Sequence, residues 1–199
     1  MSMSTYPDLL AAVAAYTDRD DLAAVFPTFC TKVEATLNRR LDDPDQDVII
    51  DLVAAGEYTA LPTDFGRMIS ISTGDGILLS DGPVVYAATD SAITGYPRHY
   101  SIVDGAIVFS PRNSTAAIKM VYRRTIPALT VAAPTNWLMT RAPDVYFNGV
   151  MFEEAIWERD TSAAQGFKAL FDEGVQELMT DAQNRRWGAG PLAPRIRRL

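Results

Sequence analysis

From residue 5 to residue 41 the apolar positions recur every three to four residues. Leu9, Leu10, Val13 and Ala14 form one stripe, and Phe26, Phe29, Cys30, Val33 and Leu37 form a second. This spacing predicts amphipathic helices. Thr5 is placed to cap the first, with Pro7 in its first turn. The pattern breaks between Thr17 and Asp20, and Pro27 then divides the segment from about Asp21 to Leu41 into a short turn and a longer helix.

From Asp47 to about Arg124 the period shortens. The runs VIIDLV, RMISIS, GILLS, PVVYAA, HYSIV, AIVFS and AIKMVYRR are separated by turn residues and predict strands. Asp104-Gly105 predicts a two-residue type I′ hairpin loop, and Ser80-Asp81-Gly82-Pro83 a looser turn. Helix returns after IPALTVAAPT. Pro143 opens PDVYFNGVMFEEAIWERD, and TSAAQGFKALFDEGVQELMTDAQNRR follows with Thr161 or Ser162 as its cap. In that last segment Phe167, Leu170, Phe171, Val175, Leu178, Met179 and Ala182 are read as one apolar face. The predicted fold is α+β. Residues 1–41 and 135–187 make a helical bundle, residues 42–134 an inserted small antiparallel β domain, and residues 188–199 an extended basic tail.

Charge divides the chain in a second way. The stretch Arg185 to Leu199 holds five arginines and no acid; taking their +5 from the chain's −7 leaves −12 on residues 1–184. An acidic body repels nucleic acid and anionic membrane, whereas the tail suits an acidic partner. The early apolar run, Leu9 to Tyr16, is too short to span a bilayer, and no membrane association is expected. Cys30, the one cysteine, falls on the apolar stripe of its helix and reads as a small buried hydrophobe.

No set of residues points to catalysis, a cofactor or a metal. His99 is the only histidine and has no spaced Cys or His to complete a zinc site. Asp43, Asp45 and Asp47 alternate like the opening of a calcium loop, but the sixth position is Val48 rather than Gly and the twelfth is Ala54 rather than Glu. The stretch therefore reads as a solvated turn. Glu153 and Glu154 lack the histidine of a di-iron bundle and read as a polar helix face. Gly188-Ala189-Gly190 and Gly74-Asp75-Gly76 lack the context of a phosphate cradle.

The stretch TNWLMTRAPDVYFNGVMFEEA, residues 135–155, resembles the phage head-to-tail adaptor proteins, as do Glu34-x-x-Leu37-Asn38-Arg39 and Leu61-Pro62-x-Asp64-Phe65. The likeness extends over nearly the whole chain; FNGVM, residues 147–151, departs from the small or apolar residues more usual there. The resemblance implies a structural virion protein at the head–tail interface, assembled in the host cytoplasm. It implies a ring of twelve copies bound to the portal protein, a distal tail or nozzle component, and DNA passing through without specific binding. The C-terminal segment would grip the portal. Within this family's architecture Pro143, Asn136 and Trp137 set how the C-terminal hairpin joins the insertion, with Thr135 as a cap and Trp137 and Trp157 read as core.

Gly188, Gly190, Pro191 and Pro194 stop helix, and the apolar residues Trp187, Leu192, Ile196 and Leu199 alternate with Arg185, Arg186, Arg195, Arg197 and Arg198. Forked guanidiniums between apolar anchors suit a protein groove, and these nine residues are the candidate portal-binding set. The alternatives are a solvated terminus and a DNA-binding protein using the basic tail.

Overall fold

A computed structural model describes residues 3–19, 21–54, 58–82, 94–112 and 115–187, with residue 187 described by its backbone alone. The expected strand PVVYAA and residues 188–199 lie outside them. The fold is α+β, and the chain divides into two compact units, Met1–Asp45 with Ile126–Leu199, and Gln46–Thr125.

The first unit is helical. Helix α1 (Tyr6–Thr17) starts where expected: the Thr5 hydroxyl accepts from the Asp8 amide while the Asp8 carboxylate accepts from the Thr5 amide, a reciprocal capping box. A 3-10 turn (Asp21–Ala24) precedes α2 (Phe26–Arg40), which has Pro27 in its first turn. Helices α3 (Trp137–Arg141), α4 (Pro143–Glu158) and α5 (Thr161–Trp187) follow the insertion. The caps of α3 and α5 differ from those expected. Asn136, not Thr135, caps α3 by accepting from the Met139 amide. Asp160, rather than Thr161 or Ser162, caps α5: its Oδ1 accepts from Ser162 and Ala163 at 3.0 Å each. Asp is a better acceptor than Thr at this position because its charge also meets the helix dipole.

The core of this unit joins Leu9, Val13, Leu22, Phe26, Leu37, Leu138, Met139, Tyr146 and Val150, all fully buried, with Cys30 among them. Two glycines let the helices approach. A Cβ on Gly149 would lie 2.9 Å from both Phe171 and Val33, and one on Gly174 2.9 Å from Val145. The unusual FNGVM stretch is thus the seam where α4 receives α2 and α5. Two expectations fail here. Trp157 is 46% exposed rather than core, capped by the Arg19 guanidinium 4.9 Å above its ring, and Leu170 is 49% exposed on the outer side of α5.

The described strands of the second unit are β1 (Asp47–Val53), β2 (Thr59–Ala60), β3 (Phe65–Thr73), β4 (Ser80–Asp81), β5 (His99–Val103), β6 (Ala106–Ser110) and β7 (Ala117–Arg124). Among the described residues they form two sheets, with strand orders β1-β7-β3 and β2-β6-β5-β4. All pairs are antiparallel except β4–β5, which is parallel, so GILLS contributes only its last residue to a strand and crosses to the far edge. Asp104 and Gly105 have φ of 49° and 71°, the positive values a type I′ loop between β5 and β6 needs. Inward-facing Ile71, Ile118, Met120 and Tyr122 meet Ile107 and Phe109 in a separate small core. His99 places its Nδ1 2.6 Å from the Ser80 hydroxyl.

Candidate functional site at the end of the helical unit

The residues that carried the family resemblance converge. Glu34 and Asn38 face the same way on α2, one turn apart. The Asn38 amide oxygen accepts from the Ile126 amide at 2.7 Å, and Glu34 Oε1 accepts from the Leu129 amide at 2.7 Å, so the segment 126–134 is held within the helical unit. Asn136 donates to the Pro127 carbonyl at 2.7 Å and to the Tyr146 hydroxyl at 2.8 Å, and that hydroxyl donates on to Glu34 at 3.4 Å. Burial raises the Glu34 carboxyl above the usual carboxylate range, while the Leu129 amide and the Tyr146 hydroxyl oppose the shift. A buried polar group costs stability unless it is bonded, so such a network fixes one arrangement of the chain returning from the insertion.

A second cluster sits where α5 ends. Asp43 has only 1% of its surface exposed, against the sequence reading of a solvated turn. Its carboxylate takes both oxygens to Arg185 Nη2 at 2.7 Å and one to Arg141 Nη1 at 2.9 Å. Asp45 joins both arginines at 3.1 and 3.2 Å, and Asp181 pairs with Arg141 and lies 3.5 Å from Arg185 Nε. Arg186 reaches Asp42 at 2.8 Å. For Arg185, burial works against the charge, but Asp43 and then Asp45 outweigh it and raise the pKa. The last turn of α5 is thereby latched to α3 and to the segment after α2.

Of the nine candidate portal-binding residues, Arg185 and Arg186 are thus held by acids of their own chain, with Trp187 the last residue of α5. Leu192, Arg195, Ile196, Arg197, Arg198 and Leu199 lie outside the described residues. Sequence reasoning missed Asp42, Asp43, Asp45, Arg141 and Asp181 as partners of this helix end. Three acids within four residues, opposite a basic pair in charge, were the available signal.

Sequence reasoning also missed Glu154. It is 2% exposed, not part of a polar face, and its Oε1 has no hydrogen-bond partner among the described residues. Burial first, and then Glu158, push its carboxyl up to about 7. Glu153 is partly buried, its carboxylate 2.9 Å from Lys32 Nζ. Among the described residues no group of His, Cys, Asp and Glu could hold a metal ion, and no helix is long and apolar enough to cross a membrane.

The ordering of these motifs matches a known class of protein. The profile of the SU10 adaptor protein family matches residues 4–195, all but a few residues of the chain. The protein belongs to this family of phage head-to-tail adaptors, and is a structural adaptor of the bacteriophage virion. The curated proteins give no match to it.

Proposed function

We propose that the protein docks under the portal ring as a ring of about twelve copies, extends the DNA channel, and offers its far side to the next tail or nozzle component. The observation that carries this reading is the family match, which runs through the helical unit and on to Arg195. Docking falls to the C-terminal segment. Arg185 and Arg186 anchor the end of α5 to acids of their own chain, and Trp187, Leu192, Arg195, Ile196, Arg197, Arg198 and Leu199 supply the contacts. A ring multiplies weak individual contacts, which suits a short peptide on each subunit. The acidic body, −12 over residues 1–184 by the subtraction above, suits a wall past which DNA slides.

The rival, a DNA-binding protein using the tail, loses ground because Arg185 and Arg186 are neutralised within the chain. At most three tail arginines remain for phosphates, so the logarithmic salt slope of any DNA binding would be about −3 or shallower. Native mass spectrometry of the chain mixed with the portal ring of its virus tests the proposal. A complex with about twelve adaptor copies supports it; two separate species in the spectrum would refute it.

A further inference from the structure

Glu154 and Glu158 lie one turn apart on the same side of α4, and their carboxyl groups are hydrogen-bonded to each other. Two ionised carboxylates cannot make such a bond, so one of the pair carries a proton. Burial puts it on Glu154, which is 2% exposed, rather than on Glu158, whose side chain is 35% exposed and accepts from the Arg19 guanidinium. Arg19 belongs to the connection between α1 and α2. Its Nε donates to Asp21 at 2.8 Å, and its guanidinium lies over the ring of Trp157, which meets Phe29 of α2 edge-on. A line of contacts therefore runs from a buried proton on α4, through Glu158, to the α1–α2 connection. Asp160, just beyond α4, adds a like charge near Glu154, and Lys32 of α2 is taken up by Glu153.

We propose that this proton is the catch of a clamp: while Glu154 holds it, Glu158 ties α4 to the α1–α2 connection through Arg19, and when it leaves, that tie opens. Losing the proton replaces a hydrogen bond by repulsion between two carboxylates in contact, with Asp160 reinforcing it and Arg19 opposing it. Glu154 is enclosed and cannot turn away. Glu158 reaches solvent, so it is the side chain that swings out, and it gives up Arg19 as it goes. Arg19 keeps Asp21, two residues along, so the loss falls on the contact between elements distant in sequence. Burial and then Glu158 hold the Glu154 carboxyl up to about 7, and the clamp is closed below that pH and open above it. The device belongs to the helical unit alone and does not depend on portal docking.

The test is an NMR titration of the full chain from about pH 5 to about pH 9, two units either side of neutrality. It follows the indole N–H of Trp157 and the side-chain carboxyl carbon of Glu154. The expected result is one step shared by both signals near pH 7, carrying the indole resonance toward its position in Arg19→Ala. Glu154→Gln, which stays neutral and can still donate to Glu158, should abolish the step and hold the indole at its low-pH position. Glu158→Gln should hold it near the Arg19→Ala position at every pH and lower the midpoint of the Glu154 carboxyl. An indole signal that does not move with pH, a step that persists in Glu154→Gln, or a Glu154 carboxyl that titrates below about pH 5, as an ordinary glutamate does, would each overturn the proposal.

Discussion

The side-chain amide of Asn136 donates to the Tyr146 hydroxyl at 2.8 Å, joining the cap of α3 to the middle of the core. The same Asn136 side chain bonds the Met139 amide and the Pro127 carbonyl. Asn136→Ala removes the cap and leaves a buried hydroxyl and carbonyl short of a donor, an expected loss of about 2–4 kcal/mol. Tyr146→Phe keeps the ring and should cost only about 1 kcal/mol. Urea denaturation of the two variants checks the ordering; equal losses would mean that Asn136 acts only through Tyr146.

The glycines of α4 and α5 make opposite cases. Gly149→Ala sets a methyl 2.9 Å from Phe171 and Val33 and is expected to destabilise by about 1–3 kcal/mol. Gly166→Ala meets nothing within 4 Å on an exposed helical turn, and should stabilise by up to about 1 kcal/mol. Thermal melts of both distinguish close packing from simple helix propensity.

Glu154 gives stability a pH dependence of definite sign. Its folded pKa, about 7, lies above the ordinary carboxyl value of 4.5, so the folded state binds the proton more tightly. The stabilisation is complete below about pH 4.5 and is lost as pH rises through about 7. Glu154→Gln, which keeps the neutral form, should flatten the stability profile between these values and raise the melting temperature at pH 8. An unchanged profile would show that Glu154 is ionised in the fold.

The latch at the end of α5 is expected to be unequal in its parts. Asp43→Ala leaves two arginines facing a buried gap and should cost about 2–3 kcal/mol. Asp181→Asn, at a side chain 57% exposed, should cost less than about 1 kcal/mol. Hydrogen exchange of the last turn of α5 reads the latch directly, and in Asp43→Ala it should rise there first.

Local rules in the sequence account for the elements with local causes. The Thr5 capping box and the Asp104-Gly105 loop lie within a few residues, where side-chain chemistry and positive φ decide the backbone. What stayed illegible was set by tertiary neighbours. Asp43 resembles a solvated acid until Arg141 and Arg185, about a hundred or more residues later, enclose it. Glu154 and Trp157 follow one helical period, yet the first is buried and the second is half exposed, because what packs against α4 changes along its length. In the candidate site the basic composition was visible, but the partition of Arg185 and Arg186 toward the chain's own acids depended on where α5 ends.

The central claim, that the C-terminal segment docks the adaptor on the portal, is tested most directly by comparing the affinity of the full chain and of a chain ending at Trp187 for the portal ring at moderate salt. The shorter chain keeps Arg185, Arg186 and the ion pairs that they make with Asp43 and Asp42. The expected result is binding by the full chain and a loss of at least about a hundredfold on truncation, since ring avidity is lost with the peptides that create it. Equal affinity of the two chains would contradict the claim.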